Sequence, residues 1–213
     1  LIKLTANKDS FRTIEFKEGM NIILAKKEEK DNKNLKKTYN GVGKSLTVVL
    51  IHFCLGSNGV EEFEKKLPDW EFTLTFQIKD EMFTSKRNTS KQNEITLNNV
   101  KMSIDKFRQL FEQKLFNLNE EIPYLKFRPL ISRFIRPRKK SYMSFNQYEI
   151  KEKPYHELIN NAYLLGLDVH RIIKKYDLKE ELDRIDSCKK NIEKDEIFHK
   201  YFMPDSDMNI QIF

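Results

Sequence analysis

The sequence TYNGVGKSLTVVLIHFCLGS, residues 38–57, places two glycines, a lysine and a serine directly before an apolar run. In a phosphate-binding loop of the form G-x-x-x-x-G-K-[ST], backbone N–H groups cradle phosphates, the Lys reaches the β- and γ-phosphates and the Ser holds Mg²⁺. Gly43, Lys44 and Ser45 fit the end of this pattern, whereas Thr38 stands where the first glycine belongs. The surrounding sequence must therefore decide between a phosphate loop and a glycine turn that only caps a helix.

Both flanks of this stretch are apolar, as expected around a loop that joins a strand to a helix. Residues 20–25, MNIILA, predict a buried strand, and residues 45–55 predict a helix that is apolar on nearly all sides and ends at Gly56. Between the strand and the loop lies the charged segment 26–37, which we interpret as a mobile surface insertion. Such an insertion changes the direction from which the chain enters the loop, which would account for Thr38.

The residues of the loop have the properties that phosphate binding requires. Gly41 and Gly43 permit positive φ values and a close approach of the backbone to an anion. Lys44 and Ser45 fall at the predicted helix N-terminus, where the helix dipole and free N–H groups favour a phosphate. Because a glycine turn gives no reason for these two residues, we favour the phosphate loop.

The composition bounds the class of protein. With 213 residues, of which 39% are hydrophobic, the chain can form one large domain with a buried core, or one domain with an appendage. The formal net charge of +7 favours an anionic partner such as a nucleic acid or a nucleotide. A lysine-rich composition gives the same sum, so the charge alone leaves the partner open.

The two cysteines, Cys54 and Cys188, do not belong to any C-x-x-C pair. Cys54 lies inside the apolar run, where we expect a buried, reduced thiol. The four histidines have no metal-binding spacing, and we interpret them as structural or surface residues. No apolar stretch approaches the roughly 20 residues of a membrane span, and no signal peptide is recognisable. We therefore expect a cytoplasmic protein without membrane contact, and we expect residues upstream because the chain begins with Leu1.

Beyond the loop, the apolar pattern predicts strands and then a helix. Residues 71–78 and the neighbourhood of residues 94–100 alternate with a period of two, and with EMFTSKRN between them they predict an antiparallel meander. Ser103 is a candidate N-cap of a helix over residues 103–116. The apolar positions of this helix at helical spacing are Phe107, Leu110, Phe111 and Leu115. The fold class predicted is therefore α/β.

The C-terminal part of the chain is predicted to be helical. Pro154 starts a helix through YHELINNAYLLGL, and a highly charged helix follows from Asp168 to about residue 198. A short and imperfect heptad of apolar residues marks the second helix: Leu178, Leu182, Ile185 and Ile192. This pattern indicates the root of a coiled coil.

The order of these features resembles a known family. NGVGKSL, after a strand and before an apolar helix, looks like the loop G-x-N-G-x-G-K-S in the N-terminal lobe of SMC-type ABC ATPases. Asn40, Gly41, Gly43, Lys44 and Ser45 match this loop residue by residue. More narrowly, IHFCLG, FRPLISRFIRP and NAYLLGLD resemble the bacterial SMC-like proteins of phage-defence operons, the Lamassu type. The resemblance covers most of residues 1–199.

This resemblance implies an ABC-type ATPase head lobe, in which a mixed sheet carries the phosphate loop and an antiparallel β-subdomain follows. The head lobe would span residues 1–167, the coiled-coil root residues 168–199, and a tail of uncertain origin residues 200–213. The implied cofactors are ATP and Mg²⁺, with Ser45 as the metal ligand and Lys44 as a catalytic residue. The residues implied to bind the nucleotide are Asn40, Gly41, Val42, Gly43, Lys44, Ser45 and Leu46.

The catalytic acid of the family does not appear in this chain. It belongs to a C-terminal lobe with a signature motif and a Walker B run that ends in Asp-Glu. YLLGLD, residues 163–168, resembles such a run in its letters, but it follows a helix and has no Glu next, so we interpret it as core helix. ATP hydrolysis is therefore expected only with a second lobe. Gln147 is a candidate for the family's glutamine that contacts Mg²⁺ and water, and a rival alignment puts Arg133 at that position.

A basic cluster spans residues 126–140, with seven cations, no acidic residue and interleaved aromatic rings. Such clustering favours contact with the phosphates of DNA, and the alternative is a solvated or intersubunit face. The candidate DNA-binding residues are Arg133, Arg136, Arg138, Lys139 and Lys140. The resemblance implies double-stranded DNA, a second head in a homodimer, and accessory and effector subunits of a defence complex as partners.

Three functions remain open from the sequence. The first is an ATP-driven head that senses DNA and controls a toxic effector in anti-phage defence. The second is an SMC-like DNA-repair ATPase without an effector. The third is a nucleotide-binding assembly module that does not hydrolyse ATP.

Overall fold

The computed structural model describes residues 1–24, 43–137, 141 and 152–195. The predicted insertion over residues 26–37 and the tail over residues 200–213 lie outside these ranges. The chain forms two compact units, Leu1–Asn160 and Asn161–Phe213, and each is described by itself. Together the described residues contain six strands and six helices, so the described structure is mixed α and β.

The first unit is organised around one six-stranded sheet with the order β2-β1-β3-β4-β5-β6. All of the described strand pairs are antiparallel, so the parallel pairs that a mixed sheet needs are not among them. The strands are β1 (Lys3–Ala6), β2 (Ile14–Glu15), β3 (Glu71–Ile78), β4 (Glu81–Asn88), β5 (Glu94–Leu97) and β6 (Val100–Ser103).

The strands β3 to β6 form the meander that the alternating residues predict. Phe76 in β3 is paired with Phe83 in β4, and the two rings stack in the core. The predicted strand over residues 94–100 is two strands, because Asn98 and Asn99 both have positive φ and form a tight turn between Leu97 and Val100. Asparagine tolerates this backbone conformation, which matches the twist of an antiparallel hairpin.

The described residues also form six helices, two before the meander in the sequence and four after it. They are α1 (Lys44–Cys54), α2 (Glu61–Lys66), α3 (Ile104–Phe116), α4 (Phe127–Ile131), α5 (Pro154–Leu164) and α6 (Val169–Lys194). In the first unit, α1 contacts β3 and β4, and α3 contacts β5 and β6. The core between these helices and the sheet contains the buried side chains of Leu4, Leu50, Phe53, Phe72, Leu74 and Phe107.

The helix predicted over residues 103–116 is confirmed as α3. The Ser103 side chain accepts a hydrogen bond from the Lys106 N–H at 3.3 Å, as an N-cap does, and the helix ends at Asn117 with φ of 54°. Phe107 and Phe111 are buried as predicted, whereas Leu115 is exposed. The amphipathic face is therefore narrower than the sequence indicates.

The predicted buried strand over residues 20–25 is wrong for the residues that the structure describes there. Residues 20–24 are not in a strand, and Met20 and Leu24 are 87% and 71% exposed. Its apolar composition predicts burial, but within the described part of the chain no element covers this segment.

The second unit contains the end of α5 and the long helix α6. α6 starts where the sequence predicts, because the Asp168 carboxylate accepts a hydrogen bond from the His170 N–H at 3.1 Å. Its heptad positions Leu178, Leu182, Ile185 and Ile192 are exposed. Within the described ranges, no helix is both long enough and apolar enough to cross a membrane.

Candidate functional site

The described part of the predicted phosphate site is the N-terminus of α1. Gly43 is the N-cap residue, with φ of 83° and ψ of 4°, which is the left-handed conformation that glycine adopts without strain. Its carbonyl oxygen accepts a hydrogen bond from the Thr47 N–H at 3.1 Å and closes the first turn. Asn40, Gly41 and Val42 lie outside the described residues, as does Thr38.

The side chains of the first turn are open to an incoming ligand. Lys44 and Ser45 are exposed, and Leu46 packs partly against the core. Among the described residues, neither Lys44 nor Ser45 makes a side-chain hydrogen bond or ion pair, and no side chain caps the helix. The first turn also contains no acidic residue.

These features give the α1 N-terminus a positive potential. The first N–H groups of a helix have no partner inside the helix, and the dipole adds partial positive charge there. Lys44 adds a full charge at the same end. The arrangement can bind an anion with several oxygens, such as a phosphate.

The C-terminal end of α1 is held by a buried arginine. Arg87 on β4 is 1% exposed, and its Nη1 donates to the carbonyl oxygens of Phe53 and Ser57, each at 2.7 Å. The Arg87 guanidinium also lies 4.1 Å from the centroid of the Phe53 ring. Sequence reasoning missed this residue, although Phe83, Ser85 and Arg87 occupy alternate positions of one strand and therefore share its inward face.

Cys54 is buried beside this arginine at the end of α1. Burial raises the pKa of its thiol to about 12, against the lowering effect of Arg87. The thiol is therefore neutral near pH 7, and it donates a weak hydrogen bond to the Phe72 carbonyl oxygen at 3.6 Å. Within the described residues Cys54 has no disulfide partner, which agrees with the predicted reduced thiol.

The basic cluster of residues 126–140 is only partly described, and several of its cations have protein partners. Arg133 forms an ion pair with Glu152 at 2.8 Å, and their side chains are 8% and 4% exposed. Lys126 pairs with Glu121 at 3.0 Å, and an Arg128 nitrogen lies 2.9 Å from His52 Nε2. These contacts come from acidic and histidine residues outside the cluster, which its own sequence does not reveal.

Of the remaining candidate DNA-binding residues, only Arg136 lies within the described part of the chain. Arg136 is partly exposed, and its Nη1 donates to the Ser141 carbonyl oxygen at 3.2 Å. Arg138, Lys139 and Lys140 lie outside the described residues, as does the candidate catalytic residue Gln147.

An open groove with a volume of about 390 Å³ connects α1 to the described end of this cluster. The groove is lined by Leu1, by Val48 and Ile51 of α1, and by residues 133–136. α1 and residues 133–136 of the basic cluster are therefore neighbours in the first unit, although the groove itself is mainly apolar.

YLLGLD, residues 163–168, is not the core helix that the sequence predicts, because α5 ends at Leu164 and the side chains of Leu165 and Leu167 are 75% and 57% exposed. The carboxylate of Asp168, the last residue of YLLGLD, caps α6 and pairs with Arg171 at 3.0 Å. No group of three or more His, Cys, Asp or Glu side chains that could hold a metal ion is present among the described residues.

No model of a known protein family matches this chain, and no curated protein matches it. The described part of the candidate phosphate site consists of Gly43, Lys44 and Ser45. Those residues define a helix N-terminus with a left-handed glycine, an exposed lysine and an exposed serine.

Proposed function

We propose that this chain is the ATP-binding lobe of an SMC-like ABC ATPase head. The observation that supports the proposal is the left-handed Gly43 directly before Lys44 and Ser45, both exposed at the N-terminus of α1. The wider identity, a head that dimerises on ATP and senses double-stranded DNA in bacterial anti-phage defence, rests on the sequence resemblance.

The residues at the α1 N-terminus fit ATP and Mg²⁺. The Lys44 ammonium group would face the β- and γ-phosphates, and the N–H groups of the first turn would donate to phosphate oxygens. The Ser45 hydroxyl oxygen would be a ligand of Mg²⁺, which neutralises phosphate charge when bound. No acidic side chain in the first turn repels the ligand.

The architecture around α1 also supports a head lobe. An antiparallel meander follows the helix, and a highly charged helix of 26 residues comes later in the chain. This is the order expected for an antiparallel β-subdomain followed by the root of a coiled coil.

Hydrolysis needs a positioned water molecule and a base in addition to phosphate binding. The first turn of α1 provides no carboxylate for this purpose. We therefore assign hydrolysis to the assembled head, in which a second lobe supplies the Walker B acid.

The test of the proposal is binding of ATP–Mg²⁺ to the Lys44→Ala variant. Removal of the charge that faces the phosphates should weaken binding by more than tenfold, which is about 1.4 kcal/mol or more. The matched control is Lys65→Ala, since Lys65 is also an exposed helical lysine but lies on α2. Isothermal titration calorimetry measures both affinities, and circular dichroism confirms that both variants are folded. Unchanged affinity in folded Lys44→Ala would refute the phosphate-loop proposal.

A further inference from the structure

Arg87 is a buried cation, and all of its described hydrogen-bond acceptors are backbone carbonyl oxygens. Besides the carbonyls of Phe53 and Ser57, it donates through Nε and Nη2 to the Gln92 carbonyl oxygen at 2.9 and 2.6 Å. Burial lowers the pKa of Arg87 to about 10, so its side chain is still charged near neutral pH. A buried charge without a carboxylate is expensive, and here the negative end of the α1 dipole provides compensation.

The geometry of these hydrogen bonds requires the guanidinium fork. The Arg87 Nη1 group donates to carbonyl oxygens at the end of α1. The Nε and Nη2 groups donate to Gln92 in the turn between β4 and β5. The Gln92 side chain in turn donates to the Val60 carbonyl and accepts from the Val60 N–H, at 3.0 and 2.6 Å. A lysine has a single nitrogen and cannot hold both sides in this way.

Two further side chains hold carbonyl oxygens at the same end of the helix. The Ser85 hydroxyl donates to the Cys54 carbonyl oxygen at 2.6 Å, and Arg108 Nε donates to the Gly56 carbonyl oxygen at 3.0 Å. The N-terminal end has no such anchors among the described residues, because Lys44 and Ser45 are exposed and no side chain caps it. The described side-chain anchors of α1 therefore lie at its C-terminal end.

A helix transmits this constraint over its whole length. α1 has 11 residues and is thus roughly 16 Å long. If the C-terminal turn shifts along the helix axis, the N-terminal N–H groups shift by the same distance. The affinity of these N–H groups for an anion is sensitive to such a displacement.

We propose that Arg87 is a positioning residue for the nucleotide site, which it serves by fixing the axial position of α1 from the end opposite the phosphates. This inference rests on the proposed function. It differs from a purely structural role, in which Arg87 stabilises the fold but leaves the nucleotide affinity of the folded protein unchanged.

The experiment compares Arg87→Lys with a core variant distant from α1 in sequence, Phe76→Leu, in the whole chain. Phe76 packs on Phe83 and Phe111 in the core. Urea unfolding measures stability, and calorimetry measures ATP–Mg²⁺ affinity at a temperature at which both variants are folded. We expect both variants to lose stability and only Arg87→Lys to lose affinity, by tenfold or more. Wild-type affinity in folded Arg87→Lys would overturn the inference.

A second measurement on the wild-type protein covers the case in which Arg87→Lys does not fold. ATP–Mg²⁺ should slow hydrogen exchange of the Leu55, Gly56 and Ser57 amides, which are hydrogen-bonded at the end of α1. The reference is the hairpin of β5 and β6, whose exchange should change less. Equal protection in both regions, or none at the end of α1, would overturn the inference.

The Lys44→Ala variant separates the two proposals. If it binds ATP as tightly as the wild type, the proposed function fails, and the inference about Arg87 fails with it. If Lys44→Ala loses affinity and Arg87→Lys keeps it, only the inference fails.

Discussion

Cys54 and Cys188 have the same side chain in opposite environments. Cys54 is buried at the end of α1, whereas Cys188 is exposed on α6. Since the thiolate is the reactive form, a raised pKa and lack of access both protect Cys54 from modification.

A thiol-specific reagent should therefore react with one cysteine per native chain and with two per chain in denaturant. Ellman's reagent at pH 8 measures both numbers. In the Cys188→Ser variant the rapid native reaction should disappear, which identifies the reactive residue. Rapid modification of native Cys188→Ser would show that Cys54 is accessible.

The same burial makes stability depend on alkaline pH. The unfolded thiol loses its proton near its ordinary pKa of 9.0, while folded Cys54 keeps it up to about 12, so stability falls as the pH rises. Arg87 acts in the opposite direction, because its folded pKa of about 10 lies below its ordinary value of 12.5. Because the Arg87 effect is mostly above pH 10, the effect of Cys54 dominates over that of Arg87 in the window from about 9 to 10.

In that window the wild type should lose about 1 kcal/mol of unfolding free energy through this residue. Urea unfolding at several pH values measures the loss. Cys54→Ala is the control, since it lacks the thiol and should show a smaller slope over the same window. Equal slopes in both proteins would contradict the assignment.

At the scale of elements, Gly56 follows the end of α1 and packs against α3. Its φ is 75°, and a Cβ atom there would lie 3.0 Å from Cδ1 of Phe107, a fully buried ring on α3. The residue thus needs both the left-handed backbone and the missing side chain.

Gly56→Ala should destabilise the protein by about 2 kcal/mol, from backbone strain together with the close approach to Phe107. Gly19→Ala is the matched control, because Gly19 has φ of 80° but a Cβ atom added there would meet no other atom within 4 Å. It should lose only the strain component, about 1 kcal/mol. Thermal or urea unfolding compares the two, and equal losses would show that α3 relaxes without cost.

Capping residues and proline in the sequence correctly predicted where three helices begin. Ser103 predicted the start of α3, Pro154 that of α5 and Asp168 that of α6, because a cap or a fixed φ acts within one turn. The turn at Asn98 and Asn99 was missed, since alternation continues on both sides of it and only the paired asparagines mark it.

In the candidate site too, features set by adjacent residues could be predicted from the sequence, and features set by distant partners could not. Gly43, Lys44 and Ser45 are adjacent in sequence, and their place at a helix N-terminus could be predicted. The contact of Arg87 with Phe53 and the burial of Arg133 could not, because both depend on partners distant in sequence. The same limit explains why residues 20–24 were predicted as buried: apolar composition does not show whether a covering element is present.

At the scale of the whole molecule, the net charge of +7 overstates the cations that are open to DNA. In the basic cluster, Lys126 and Arg133 are paired with carboxylates inside the first unit. We therefore expect contact of this cluster with DNA to involve mainly its C-terminal part, which contains Arg136, Arg138, Lys139 and Lys140.

Reversal of Arg136, Arg138 and Lys139 to Glu should weaken binding to unrelated DNA duplexes to a similar extent, because interactions with phosphates carry no base sequence. The dependence of log K on log salt should flatten by nearly one unit for each phosphate that the variant no longer neutralises. Fluorescence anisotropy over a salt series measures both the affinity and the slope. ATP binding should persist, since none of the three substituted residues lies in the first turn of α1.

A charge-matched control separates the location of these cations from the net charge of the molecule. Lys65, Lys66 and Lys91 are exposed and lie outside the cluster, so their reversal to Glu changes the net charge by the same amount. If the cluster contacts the phosphates, the control triple should keep a salt slope close to that of the wild type, because long-range charge is screened over about 10 Å at ordinary salt. Equal losses in the two triples would assign DNA binding to net charge alone. An unchanged slope in the cluster triple, with circular dichroism of a folded protein, would assign the cluster to a protein interface or a solvated face.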